Sequence, residues 1–197
     1  MFSIDKESIE TCVSINSIKI KKMNYRTPIY FGFVIALSGS ILMLSLVGLD
    51  MLGPNAVSSN KEMIGGTLLF LMIYLFLLIG IYYALKKQKE QNEGILSFKT
   101  ALVQGILTSL TTAFFSVLFT VLFYEVLYPE YVSEFLAALK EKMELENIPK
   151  EKIEGKLIEM RGYYSTSNQS LFSFIGNFTT GAAFTLLLSF FLKNNRK

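Results

Sequence analysis

Residues 101–127 read ALVQGILTSLTTAFFSVLFTVLFYEVL and contain a single charged side chain, Glu125. A helix needs roughly 20 mostly apolar residues to cross the hydrocarbon core of a bilayer, at about 1.5 Å of rise per residue. Three more runs of this kind occur, at residues 30–52, 64–85 and 171–192. Charge is concentrated between the runs, and this segregation predicts an all-α membrane protein with four transmembrane helices.

The composition excludes several kinds of chemistry. The chain has no histidine and one cysteine, which argues against the usual zinc, copper and iron sites and rules out a histidine-dependent hydrolase triad. No GxxxxGK[ST] motif and no strand-linked GxGxxG motif is present. The net charge of +3 is too small to indicate nucleic-acid binding. We therefore expect a protein that is not an enzyme, with no metal, cofactor or catalytic residue.

The distribution of lysine and arginine predicts the orientation, because cytoplasmic segments of membrane proteins are enriched in both. Basic residues are concentrated before the first run, between the second and third, and after the fourth: Lys6, Lys19, Lys21, Lys22, Arg26, Lys86, Lys87, Lys89, Lys99, Lys193, Arg196 and Lys197. The other segments hold most of the acidic residues and carry a net negative charge. We expect both termini in the cytoplasm and the protein in the bacterial inner membrane.

The first residues differ from the rest of the chain. Residues 1–22 are polar, and Met23 stands just before the first run as a plausible alternative start. We expect residues 1–22 to form a tail that is disordered or not translated, and residues 23–197 to form the transmembrane domain. The first run exceeds the ~7–15 apolar residues of a signal peptide, which favours an uncleaved span.

The segment between the third and fourth runs predicts a helical hairpin at about residues 130–165, on the outer side of the membrane. Apolar residues recur at helical spacing on both arms, at Val132, Phe135, Leu136, Leu139 and Met143 and at Ile153, Leu157 and Met160. The two stripes favour a hairpin that packs against itself as a cap. The alternative is a binding surface for lipid or for a partner protein.

Small and polar residues recur along one side of the third run, at Gly105, Ser109, Thr112, Ser116 and Thr120. The fourth run offers Gly176, Asn177 and Thr180. Such residues let helices approach closely in lipid, so the favoured interpretation is a helix-packing seam. The alternative is a polar strip that lines a solute path. Glu125 lies near the outer end of the third run, where a carboxylate can reach the interface.

Three short motifs carry a family resemblance. They are Gly94-Ile95-Leu96-Ser97-Phe98 leading into Ala101 and Gly105, then Pro129-Glu130-Tyr131, and Ile153 with Met160 and Tyr163-Tyr164 before the last run. In these features the chain resembles the bacterial membrane proteins grouped as domain of unknown function 4199. The resemblance implies the fold and the membrane location, and it supplies no activity.

The leading functional hypothesis is a non-enzymatic membrane component that acts through lipid contacts or through a protein partner, including self-association. The absence of buried charge and the amphipathic hairpin motivate it. A small-solute transporter or channel subunit is the alternative, motivated by the polar strip and Asn177. An intramembrane enzyme has the least support, because no nucleophile–base pair lies at membrane depth.

Overall fold

The computed structural model describes residues 24–194, and the predicted tail of residues 1–22 lies outside this range. The described chain forms seven α-helices and one π-helical turn. The elements are α1 (Arg26–Gly48), α2 (Pro54–Ser58), α3 (Glu62–Gln91), α4 (Phe98–Leu122), the π turn (Phe123–Leu127), α5 (Tyr131–Leu145), α6 (Lys150–Tyr163) and α7 (Thr166–Leu192). Extended pairing within residues 24–194 is limited to a bridge between Leu96 and Asn194.

Four of these helices are long and apolar enough to cross a membrane: α1, α3, α4 together with the π turn, and α7. Only 11% of the most apolar window of α7 and 28% of that of α4 are buried. Large side chains such as Ile64, Leu187 and Phe191 are therefore exposed on the outside of the bundle. A soluble monomer rarely exposes so much apolar surface, whereas lipid solvates it. The architecture is that of a multi-pass, all-α membrane protein, as predicted.

The helices extend beyond the apolar runs where the flanking residues favour a helix. Helix α3 continues past Leu85 to Gln91, because lysine, glutamate and glutamine are good helix formers outside the hydrocarbon. The first run ends earlier than its apolar residues suggest. Asp50 has a φ of 54°, which places it in the left-handed region and turns the chain away after Gly48.

The side chain of Ser97 caps α4 by accepting a hydrogen bond from the Thr100 amide at 3.2 Å. This cap places the start of α4 directly after the connector that follows α3.

The central helix of the bundle is α4, which packs along α1 on one side and along α7 on the other. At the end away from the hairpin, one apolar cluster joins α1, late α3, the start of α4 and the end of α7. Its buried members are Ile35, Leu77, Ile81, Leu85, Leu96 and Ala101, and Phe184, Leu188 and Leu192 pack against them. Toward the hairpin the helices separate and a cavity lies between them.

Residues after α7 close this tight end. The Asn194 amide donates to the Leu96 carbonyl at 3.0 Å, and the Asn194 side chain accepts from the Leu96 amide at 2.9 Å. Lys89 Nζ donates to the Leu192 carbonyl at 3.2 Å. These bonds join the connector between α3 and α4 to the end of α7.

The α5–α6 pair covers the opposite end of the bundle. The apolar side chains of α5 pack on α2 and on α6, through Val57, Phe135, Leu136, Leu157 and Met160. The two stripes that the sequence predicts therefore contact each other and the short α2 helix. Leu145 and Ile158 are the large apolar side chains of α5 and α6 that stay strongly exposed, at 77% and 75%.

Candidate functional site

The interface of α4 with α7 has a tight half and an open half. In the tight half, a Cβ atom at Gly181 would lie 2.7 Å from Ser109 Cβ, and one at Gly105 would lie 2.9 Å from Thr185 Cβ. Neither glycine can carry a side chain without moving its neighbour. The close approach of two helix backbones at small residues is the usual packing mode within lipid.

In the open half, a cavity of about 280 Å³ lies between α1, α4 and α7. The π turn contributes Phe123 and Leu127 to its lining, and α3 contributes Ile73. Its polar lining side chains are Ser40, Thr112, Ser116, Thr120, Ser173 and Asn177, and the other side chains around it are apolar. Single π turns within α-helices occur frequently at functional sites. The cavity therefore combines an apolar body with a line of uncharged polar groups.

Three polar side chains of the lining donate hydrogen bonds to carbonyl groups of their own helices. Ser40 donates to the Ala36 carbonyl and Thr112 donates to the Thr108 carbonyl, each at 2.9 Å. The Asn177 amide group donates to the Ser173 carbonyl at 2.9 Å. The lone pairs of these three oxygens remain, so the cavity offers hydrogen-bond acceptors at these positions and carries no charge.

The cavity brings together four of the residues that the sequence singles out: Thr112, Ser116, Thr120 and Asn177. Thr120 also bonds to Ser173 across the helices, with 3.0 Å between the two hydroxyl oxygens. Gly105 and Ser109 lie in the tight half instead.

Gly176 and Thr180 lie off the line of closest contact with α4. A Cβ atom at Gly176 would meet nothing within 4 Å, whereas one at Gly181 would meet Ser109. Gly176 directly precedes Asn177, which lines the cavity, and Thr180 directly precedes Gly181, which contacts Ser109. One position is about 100° around a helix, which turns both residues away from the seam.

Sequence reasoning did not single out Gly181, Thr185 and Ser189, which are the buried residues of α7. Together with Ser173 and Asn177 they repeat at every fourth residue, which keeps them on one face of a helix. This spacing is the signal that could have found them. Gln88 and Gln104, both fully buried, were also missed.

Glu125 projects from the π turn toward the start of α7. Its carboxylate accepts a hydrogen bond of 2.5 Å from the hydroxyl of Thr166. Both groups are exposed, so this contact joins α4 to α7 at the hairpin end of the cavity. The structure thus gives the predicted interfacial acid a bonding partner on α7.

Aromatic side chains connect this end of α4 to the hairpin. Phe123, Tyr124 and Tyr131 form a buried cluster, and Tyr128 and Tyr164 pack against it. The hydroxyl of Tyr164 donates to Glu62 at 3.3 Å, and that of Tyr128 donates to Glu134. The cluster therefore holds α5, α6 and the start of α3 over the cavity end of the bundle.

The environment of these tyrosines favours their neutral form. Burial, then the nearby Glu62 charge, raises the pKa of Tyr131 from 10.0 to about 12. The hydrogen bond to Glu134 is the main cause that raises the pKa of Tyr128 from 10.0 to about 12. Burial and Glu62 raise the pKa of Tyr164 above its ordinary value.

We predict that alkaline pH loosens the hairpin. A pKa raised on folding stabilises the folded state below the unfolded pKa of 10.0, and this stability is lost as pH rises through about 12. Phenolate absorbance of the folded protein should therefore develop at higher pH than that of the denatured protein, and hairpin proteolysis should increase over the same range. Tyr131→Phe should weaken this alkaline dependence; an unchanged dependence would contradict the assignment.

Comparison with known proteins bears on the same region. The family model described as "Protein of unknown function (DUF4199)" matches residues 30–194, which include the hairpin and the cavity. The chain belongs to this family. The resemblance drawn from the short motifs is thus confirmed. No curated protein and no solved structure matches the chain. DUF4199 membership assigns no activity to the chain.

Proposed function

We propose that this DUF4199 protein is a non-enzymatic membrane component that binds the apolar chain of a lipid in the cavity between α1, α4 and α7. The observation that carries the proposal is a partly open, mainly apolar cavity between helices whose outer surfaces are apolar. Its volume of about 280 Å³ is near the lower limit of small-molecule sites, roughly 300 Å³.

The polar groups of the lining favour a ligand that is uncharged where it lies in the cavity. A charged group at this depth would need a counter-charge, and the lining residues of the described chain include none. The free lone pairs of Ser40, Thr112 and Asn177 suit a ligand that donates hydrogen bonds. We therefore propose a lipid whose hydroxyl or amide donors meet these acceptors while its chain occupies the apolar part.

A small-solute transporter or channel subunit is the alternative function. Polar side chains occur along α4 and α7 both in the cavity and beyond the Gly181–Ser109 contact, and this arrangement supports the alternative. The close contact of Gly181 with Ser109 counts against an open path, because it leaves no room between the two backbones. The lipid proposal does not require passage through this contact.

We further propose that the protein lies in the bacterial cytoplasmic membrane with both termini inside. Lys86, Lys87, Lys89, Lys99 and Lys193 flank the end of the bundle that is away from the hairpin, which supports this orientation. In this orientation the hairpin faces outward. Its exposed side chains Leu145 and Ile158 are then the first candidates for contact with a partner protein.

Two serines of α1 provide a matched test of the cavity. Ser40 lines the cavity and Ser38 does not, although each donates to the carbonyl four residues earlier. Ser40→Leu should fill the cavity and lower the amount of lipid retained through detergent purification about tenfold, as expected from a loss of ~1.4 kcal/mol in binding.

Ser38→Leu should retain the wild-type amount of lipid, measured by mass spectrometry of the purified protein. Equal retention by both variants would rule out the cavity as the lipid site. Helix content and elution volume would show that both variants remain folded.

A further inference from the structure

A second group of polar side chains lies at the end of the bundle away from the cavity. Gln88 on α3, Gln104 on α4, and Thr185 and Ser189 on α7 are all fully buried, with 0% of each residue exposed. Within residues 24–194, no hydrogen-bond partner is in reach of either carboxamide or of either hydroxyl. Four unpartnered polar side chains thus lie inside an otherwise apolar part of the protein.

The packing places these residues along the first turns of α4, where α3 and α7 pack against it. Thr185 lies against Gly105, the residue after Gln104. Ser189 is one helical turn further along α7, toward the start of α4. Gln88 is one turn beyond Leu85, and Leu85 shares an apolar cluster with Leu96 and Ala101 at the start of α4.

Polar groups left unsatisfied here would be costly. Burial of an amide or hydroxyl without a hydrogen bond is strongly unfavourable, and surrounding lipid offers no replacement partner. By contrast, the other buried hydroxyls of α4 all donate to their own helix: Thr108, Ser109 and Thr112 each bond to a carbonyl at 2.9 Å. Among the buried polar side chains of α4, only Gln104 is therefore unpartnered; outside the group of four, Ser170 at the hairpin end of α7 is also buried without a partner.

We infer that Gln88, Gln104, Thr185 and Ser189 form an enclosed site for a small neutral molecule that both donates and accepts hydrogen bonds. Each carboxamide offers donors and acceptors together. A bare cation would leave the amide protons unsatisfied, and a bare anion would leave the carbonyl oxygens unsatisfied. Lys89 Nζ, near the end of α7 at the Leu192 carbonyl, adds a positive charge that further disfavours a cation.

The complete burial of all four residues favours a very small ligand. A water molecule typically makes about three hydrogen bonds to buried polar groups, and this group supplies that number without charge. Water is thus the smallest molecule of the proposed class, and formamide or urea would be larger members. This site is independent of the lipid cavity, because it shares none of the residues that line it.

Selective ¹⁵N labelling of glutamine tests the site directly. The protein, folded in detergent micelles, should give side-chain amide signals for Gln88 and Gln104 beside those of Gln91 and Gln169. Gln91→Met and Gln169→Met identify the two other signals, and whichever of Gln88→Met and Gln104→Met folds then assigns both buried signals. We expect both buried amides to show long-lived cross-relaxation with water, and the exposed Gln91 to lack it.

Added ¹³C-formamide and sodium chloride separate the possible occupants. Persistent water cross-peaks, or their replacement by formamide cross-peaks at Gln88 and Gln104, would support the site and identify the occupant. A direct cross-peak between the two carboxamides without any solvent peak would mean a dry pair and would overturn the proposal. A chloride- or sodium-dependent shift confined to the buried signals would overturn the neutral character of the ligand.

Discussion

Gly181→Val is expected to weaken the contact between α4 and α7 and to destabilise the folded protein by about 3 kcal/mol. A Cβ atom at this position would lie 2.7 Å from Ser109 Cβ and 3.4 Å from Ser109 Cα. The α4 backbone would have to move to make room for it, and α4 is the helix against which both α1 and α7 pack. The effect should therefore spread beyond the mutated residue.

Gly176→Val on the same helix is the matched control. A Cβ atom there would meet nothing within 4 Å, so the same change in helix propensity, which slightly favours valine over glycine, is present without the clash. Thermal unfolding in detergent would measure both variants against the wild type. Equal destabilisation at the two positions would contradict the tight seam described between Gly181 and Ser109.

Gly65→Ala should be even more damaging, at about 3 kcal/mol or more, because the clash involves backbone rather than a side chain. An added Cβ would overlap the Met51 carbonyl oxygen and would lie 2.6 Å from its carbon. Met51 is held in place, since its amide donates to the Leu46 carbonyl at 2.9 Å. The connector between α1 and α2 would have to be displaced from α3.

The neighbouring substitution Gly66→Ala should have the opposite effect on stability. A Cβ atom at Gly66 would meet nothing within 4 Å, so alanine should stabilise α3 by about 1 kcal/mol through its higher helix propensity. Denaturant or thermal unfolding of the two variants, which differ by one position, gives the comparison. Destabilisation of similar size in both would indicate that α3 does not pack on the connector as described.

The transmembrane helices could be predicted because each run of apolar residues matches a bilayer in length. The length of the apolar runs predicted the ends of the helices less well, because helix propensity and turn residues determine where a helix ends. Residues 86–91 extend α3 as good helix formers, and Asp50 turns the chain after α1. The arms of the hairpin followed from apolar spacing, whereas α2 has only five residues and no periodic pattern to reveal it.

The polar strip of α4 was visible in the sequence, but its division into a seam and a cavity was not. That division depends on the partner helix. Gly105 and Gly181 let the backbones meet in one half, while the cavity in the other half is bounded by large side chains such as Phe119 and Phe123. The distance between two helices depends on how they pack, and it cannot be predicted from the periodicity of one helix alone.

The buried glutamines were missed for a related reason. Gln88 lies beyond the apolar run that predicts α3, near the exposed residues Lys86, Lys87 and Glu90. Gln104 lies near the start of its run, where a polar residue can also face the interface. Only the packing of α3, α4 and α7 around the start of α4 buries the two side chains.

The central claim is that lipid surrounds α1, α3, α4 and α7, and labelling of single cysteines in membranes tests it most directly. In a Cys12→Ser background, Ile175→Cys should resist a membrane-impermeant maleimide, although Ile175 is 48% exposed on the bundle. Lys152→Cys in the hairpin should react in intact cells, and Lys99→Cys only after permeabilisation. Reaction of Ile175→Cys as fast as Lys152→Cys would show water at that surface and would contradict the account.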